Sequence, residues 1–187
     1  MTRKIPMLLA AALLLAGCAQ MNPPDPRANV VLAPVRGSGV TGSAQFIQHK
    51  HSVEVVGEVR GLQPNSEHGF HIHERGDCSG SDGKSAGPHF NPDAMPHGRF
   101  DMVIHHAGDL PSLHADGHGV ASFRFESKVL QVGIGSGDAL TRALAITAGP
   151  GDLVGRALIV DRDPDDFTTQ PSGNSGPPLA CGVITAG

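Results

Sequence analysis

Apolar and polar residues alternate over short runs along much of the chain. VVLAPV at residues 30–35, SVEVVGEV at 52–59, GVASFRF at 119–125 and GRALIV at 155–160 each have the period-two or β-branched character of a strand. Turn residues separate these runs, and the chain contains 25 Gly and 15 Pro. Helical periodicity is scarce, and no internal repeat is visible. Many short strands joined by Gly/Pro turns predict an all-β sandwich or barrel. The glycine inside VEVVGEV predicts a bulge. A further short run, GFHIHE at 69–74, reads as a strand in which His71 and His73 are two residues apart and so share one face.

The alternation fails in three places. Residues 1–17 begin with Arg3 and Lys4 and continue into MLLAAALLLAG, the charged and apolar parts of a secretory signal, too short for a comfortable membrane span. The segment closes on LAGC, which resembles the lipobox of bacterial lipoproteins. That resemblance implies an acylated Cys18 as the first mature residue. The Pro-rich stretch at 18–28 then reads as a tether, and residues 29–187 as one domain. Ala19 stands where an inner-membrane retention signal would place Asp, which points to the outer membrane, facing the periplasm. Removing residues 1–17 takes away two basic residues and no acid, so the formal charge moves from −4 to −6. No basic patch suggests nucleic acid. Of the three cysteines, Cys78 and Cys181 remain, and an even pair in an exported chain implies one disulfide.

The other two breaks are long loops, at 74–108 and 161–178, rich in Gly, Pro, His and Asp. Loops of this length in a compact domain are usually functional or disordered. Seven of the 11 histidines, namely His68, His71, His73, His89, His97, His105 and His106, crowd into or beside the first loop. Imidazole suits zinc and copper, and a structural zinc site takes four N, S or O donors. His89, His97, His106 and Asp109 can supply three nitrogens and one oxygen, while His71 and His73 offer a second pair from a strand.

GFHIHERGDCS, SAGPHFNP, HHAGDL, DGHGVA, GRALIV and GNSGPPLACGVI together resemble the copper,zinc superoxide dismutase family, over nearly all of residues 29–187. The resemblance implies an eight-stranded Greek-key β-sandwich or flattened barrel with two long functional loops. It makes His71, His73 and His89 copper ligands and His89 the bridge to zinc, which His97, His106 and Asp109 complete. It makes Asp165 a carboxylate linking a copper-side to a zinc-side histidine, and Cys78–Cys181 the bond pinning the first loop to the last strand. His68 is expected to be structural, His105 to point away from His106, and His49, His51, His114 and His118 to lie at the surface.

Two positions depart from the pattern inside well-matched words. Asp161 stands where the family has its fourth copper histidine, and Pro178 where it has the arginine that binds the superoxide anion. Dismutation needs copper to alternate between two oxidation states, and carboxylate is a poor donor to Cu(I), although Asp161 could still serve Cu(II). The loop 168–178 carries no Lys or Arg, while Asp161, Asp163, Asp165 and Asp166 crowd the entrance against Arg162 alone. Arg99, Arg142 and Arg156 are expected to stay solvated instead of replacing the missing cation. The sequence therefore reads as a dismutase-like, zinc-binding envelope lipoprotein with little or no dismutase activity. An active enzyme with altered copper ligation and a copper-buffering or delivery protein are the alternatives. FDMVI, beginning at Phe100 and ending at Ile104, reads as a small local core over the zinc loop, with a protein-contact patch as the alternative. Residues 134–151 look like an insertion, and oligomeric state is not legible.

Overall fold

The structure, a computed structural model, describes residues 25–80, 82–133 and 150–187. The signal segment, Cys18 and most of the tether lie outside the described residues, as do Arg142 and nearly all of the 134–151 insertion. Ten strands follow in order: β1 Arg27–Pro34, β2 Thr41–Gln48, β3 Val53–Arg60, β4 Glu67–His68, β5 Phe70–His73, β6 Leu113–His114, β7 Val120–Ser127, β8 Ala157–Asp161, β9 Pro178–Val183 and β10 Thr185–Ala186. A single 3-10 turn, Lys84–Ala86, is the one helical element among the described residues.

Eight strands form one antiparallel sheet in the order β5-β8-β9-β1-β2-β3-β7, with β10 also on β1; β4 and β6 pair separately. The sheet curls until its two ends meet across the core, where the Phe70 ring of β5 and the Phe123 ring of β7 lie 5.1 Å apart. This is the all-β barrel that the alternation predicts, in the flattened form that the resemblance implies. In β1, Ala28, Val30 and Leu32 face inward, and in β3 Val53, Val55 and Val59 do so, joined by Phe46, Leu158 and Val160. Alternate side chains reach the core because a strand turns every second residue to the same face.

Gly57 corrects one expectation. It sits in unbroken register with Ala44 on one side and Phe123 on the other, so β3 carries no bulge there. A Cβ at this position would run into the Ser43 carbonyl oxygen and lie 2.7 Å from Phe123 Cζ. The glycine makes room for an aromatic ring on the neighbouring strand.

β8 is buried along its whole length. Leu158 and Val160 enter the main core, whereas Ala157 and Ile159 join Val35, Ala86 and Cys181 in a second cluster beneath the first loop. A strand covered on both faces has no reason to alternate, which explains the continuous ALIV. Cys78 and Cys181 form the disulfide that holds this loop down, with their Cα atoms 5.8 Å apart.

The segment at 100–104 is not a local core. Phe100 packs against Phe125, with ring centroids 5.2 Å apart. Met102, Val103 and Ile104, however, are 60%, 97% and 57% exposed. Among the described residues, no neighbouring element lies over the end of the turn.

Candidate metal centre

β5 sets the site. Phe70 and Ile72 point into the core, so His71 and His73 point to the opposite face. The first loop is laid along β5 by backbone bonds: Phe90 N–H donates to Ile72 O at 2.8 Å, Ile72 N–H to Gly108 O at 2.9 Å, and Gly108 N–H to Phe90 O at 2.8 Å. Bridges His73–His89 and His71–Asp109 follow. The ladder therefore delivers His89 and Asp109 to the two histidines of the strand.

His89, His97, His106 and Asp109 are all buried, and their ligand atoms lie within 4.8 Å of one another. It is the group of three or more such residues among the described ones that could hold a metal ion. Asp109 Oδ1 is 2.8 Å from His89 Nδ1, 3.0 Å from His97 Nδ1 and 3.2 Å from His106 Nδ1. Donors about 2.0 Å from a tetrahedral ion stand roughly 3.3 Å apart, so these spacings are close to a zinc shell. His106 Nδ1 is buried without a hydrogen-bond partner, as a nitrogen aimed at an ion would be. The other carboxylate oxygen, Asp109 Oδ2, accepts from the backbone N–H of Gly98 at 3.1 Å and of His106 at 2.9 Å. Those two donors fix the carboxylate so that Oδ1 faces the imidazoles. Burial alone would raise the Asp109 pKa, but the three imidazoles hold it far below the usual carboxylate range.

Asp165 links this group to β5. Its Oδ1 lies 2.9 Å from His97 Nε2, and its Oδ2 lies 2.9 Å from His71 Nε2. Such a carboxylate fixes which ring nitrogen carries the proton and so which one faces a metal. Gly173 permits the arrangement: its φ is +67°, and a Cβ there would lie 2.6 Å from His97 Nε2. Gln170 adds a second tie from the same loop. Its Oε1 accepts from His97 N–H at 2.9 Å and its Nε2 donates to His97 O at 2.9 Å.

The side that the family resemblance assigns to copper is built differently. His73 Nδ1–H donates to Gly87 O at 2.7 Å, leaving Nε2 with its lone pair, buried and unpartnered. Burial lowers the His73 pKa, and burial followed by the charge on His71 pushes His89 down to about 3. Both rings are therefore neutral near pH 7. His71 is the reverse. It has no exposed surface, and its Nδ1 lies 2.9 Å from Asp161 Oδ2 while Nε2 faces Asp165. Carboxylates thus flank both ring nitrogens and favour the protonated ring. Burial opposes that charge most strongly, yet Asp161 and then Asp165 outweigh it and raise the pKa to about 9.

A crevice of about 170 Å³ leads to this side, lined by His73, Asp82, Lys84, Asp161, Ser175 and Pro178 among others. Lys84 is its one cation among the described residues, and its Nζ sits 3.4 Å from Asp82. Arg99 is engaged with Asp101, and Arg156 lies over the Phe90 ring at 3.5 Å while donating to Glu74 O. Neither lines the crevice. Pro178 is buried.

His68 is structural, with Nδ1 2.9 Å from Asp161 O and Nε2 2.6 Å from Ser66 Oγ. His105 Nδ1 binds His106 O at 2.6 Å, away from the metal group. His51, His114 and His118 are exposed, and His49 is partly so beside Asp25. Sequence reasoning missed Ser175 and Gln170, polar residues in a Gly/Pro-rich loop that carry no pattern of their own.

Comparison with known proteins agrees with this geometry. The family described as "Copper/zinc superoxide dismutase (SODC)" matches residues 40–184. A relative named "Superoxide dismutase [Cu-Zn] 2" from Aquifex aeolicus is 34% identical over 97% of this chain and 99% of its own. The "Superoxide dismutase-like protein YojM" of Bacillus subtilis is 32% identical over 98% of this chain and 96% of its own. The "Copper chaperone for superoxide dismutase" of Rattus norvegicus is 37% identical over 82% of this chain and 52% of its own. Among solved structures, the clock protein EA4 superposes with a TM-score of 0.71 at 31% identity, covering 88% of this chain and 96% of the other. The chain belongs to the copper/zinc superoxide dismutase family.

Proposed function

We propose that the protein is a dismutase-like metalloprotein of the bacterial envelope, with a structural zinc at His89, His97, His106 and Asp109 and little or no dismutase activity. One observation carries the reading: His71 Nδ1, the strand nitrogen on the copper side, is engaged by Asp161, while the four zinc-type donors converge a few ångströms away. His71, His73 and His89 lie together on this side, but Asp161 brings an oxygen where a soft donor would be needed for Cu(I). Copper, when bound, would supply the one-electron chemistry that dismutation needs. The chain's own contribution to binding an anion is also weak, since Pro178 is apolar and Asp161 and Asp82 offset Lys84 at the crevice.

Cytochrome c competition on full-length protein loaded with zinc and copper tests this. Activity orders of magnitude below a diffusion-limited rate is expected. A rate near that limit overturns the reading in favour of an active enzyme with altered copper ligation.

A copper-buffering or delivery role is a second reading. It is favoured by the buried, unpartnered His73 Nε2 and by likeness to a protein whose name is copper chaperone for superoxide dismutase. Competition against a Cu(I) chelator separates it from the first. LAGC at residues 15–18 supports lipid attachment through Cys18, with the domain held at the outer membrane facing the periplasm. Cys18→Ala should release the protein from the membrane fraction, and retention would refute the anchor.

A further inference from the structure

The exposed apolar residues Met102, Val103 and Ile104 form the tip of a narrow loop bracketed by the candidate donors His97 and His106. Its neck is tight: Met102 N–H donates to Arg99 O at 3.0 Å, and a Cβ on Gly98 would lie 2.5 Å from Ile104 O. Between Gly98 and Ile104 the one base and the one acid neutralise each other, since Arg99 Nε and Nη2 donate to the Asp101 carboxylate at 3.0 and 2.9 Å. A hollow of about 750 Å³ beside the tip adds Phe167 and Thr168 from the 161–178 loop. The carboxylate there, Asp166, is turned toward Thr168 and Thr169 of its own loop. The tip is therefore apolar and carries no net charge.

Strand pairing places this tip. Phe100, at its base, packs on Phe125 of β7. Phe125 pairs with Val55, Val55 with Phe46, and Phe46 with Ala28, one row across four strands. Neighbouring strands stand ~4.8 Å apart, so the row is ~14 Å long. Ala28 is the second residue of β1, and the chain ahead of it leaves beside the turn between β2 and β3, where Asp25 lies 3.4 Å from His49. Ten residues separate Cys18 from Ala28, a reach of at most ~36 Å. The tip and the attachment of the tether thus belong to the same end of the barrel. Lys50 and Lys128 are exposed at that end, while its Glu54 and Glu126 are engaged by Arg124 and Ser52.

We propose that the 102–104 tip is a membrane-docking element: it enters the acyl-chain border of the lipid surface to which Cys18 holds the domain, and so fixes which face of the domain meets the membrane. The proposal rests on the reading that Cys18 is acylated. A lipid surface suits the tip better than a protein does. A stable protein interface takes ~800 Å² from each partner, which three consecutive side chains on a narrow turn do not supply. Insertion into lipid needs no matching surface. Apolar groups enter by ~5–10 Å while cations stay at anionic headgroups, and Lys50 and Lys128 provide those cations. The tether also raises the effective concentration of the domain at that surface, so a small tip is enough.

Full-length acylated protein in vesicles of phosphatidylethanolamine and phosphatidylglycerol tests this. An environment-sensitive fluorophore is attached through Val103→Cys and, in a separate sample, through Val31→Cys, an exposed site on the outer face of β1. An unchanged melting temperature confirms that the labelled proteins fold. The label at 103 should shift to the blue and lose most of its intensity when the acyl chains carry bromine, and the label at 31 should do neither. No shift or quenching at 103, or the same response at 31, overturns the docking. Hydrogen exchange at 102–104 in the unmodified protein should slow on the same vesicles, and an unchanged rate overturns it without recourse to a variant. Shielding of the tip in native envelopes but not in protein-free vesicles would assign it to a protein partner and equally refute the proposal. Mass spectrometry of Cys18 judges the anchor separately. An unmodified Cys18 refutes the anchor and the docking that rests on it, whereas acylated protein with a solvent-exposed label at 103 refutes the docking alone.

Discussion

His97 shows how much a single side chain is asked to do. Its Nδ1 faces Asp109 and its Nε2 faces Asp165, and its backbone is held at both N–H and C=O by Gln170. Asp165 then passes the constraint to His71. Asp165→Ala would leave two buried ring nitrogens without partners and free the His97 ring to rotate. Zinc affinity should fall by about 10- to 100-fold, read by competition with a zinc chelator; an unchanged affinity would show that packing alone orients the ring. The candidate ligands were legible in the sequence as a set, because histidines at i, i+2 on a strand and a His–x–x–Asp turn keep their spacing whatever the surrounding loop does. Ser175 and Gln170 were not legible. A serine in SGNSG looks like solvated turn until the fold places it against a carboxylate, and no local pattern encodes that distant contact.

At the scale of elements, legibility followed exposure. β1, β3 and β7 have one face in the core and one outward, so they alternate and could be read. β2, TGSAQFIQ, presents only Ala44 and Phe46 to the core and was passed over. β8 could be read as a strand but not placed, since its second apolar face is explained only by the disulfide-held loop above it. Gly57 was misread because a glycine in a strand suits either a bulge or a close approach, and the choice depends on the Phe123 ring beside it. Gly57→Ala should therefore destabilise by overpacking, by roughly 1–3 kcal/mol. Urea unfolding at matched zinc content measures it; a stability within a few tenths of the parent would mean that both the β2 backbone at Ser43 and the Phe123 ring give way freely. The Cys78–Cys181 bond encloses a loop with a sequence separation of 103. Chain-entropy arguments put such a cross-link at up to ~4.7 kcal/mol. Cys181→Ser should lower the melting temperature and open the first loop to protease near Ala86 and Gly87, visible as early cleavage by limited proteolysis.

For the molecule as a whole, the zinc-type donors and the disulfide act on the same loop, which itself covers β8 and carries His89 to β5. Binding free energy at a site absent from the unfolded chain becomes folding free energy. Zinc removal by chelation, or His97→Ala, should thus lower the melting temperature substantially, and an unchanged melt with verified zinc loss would sink the structural role. The copper side asks more of the architecture, because Asp161 and Pro178 meet at one register shift and their replacements must be accommodated together. Asp161→His should give tight copper binding and modest dismutase activity. Adding Pro178→Arg should raise activity further, provided the new side chain fits at a position that is buried in the unmodified protein. The two changes share one site, so their effects need not add. Ionic strength supplies the sharper readout. With Asp82 and Asp161 lining the crevice and Lys84 paired, any residual reaction of the unmodified protein with a small anion should speed up as salt screens the repulsion. In the double variant, one carboxylate is lost and one guanidinium gained, and the slope should reverse, so that salt slows the reaction. A slope of the same sign in both proteins would show that the local charges at β8 and β9 do not govern the approach of the anion.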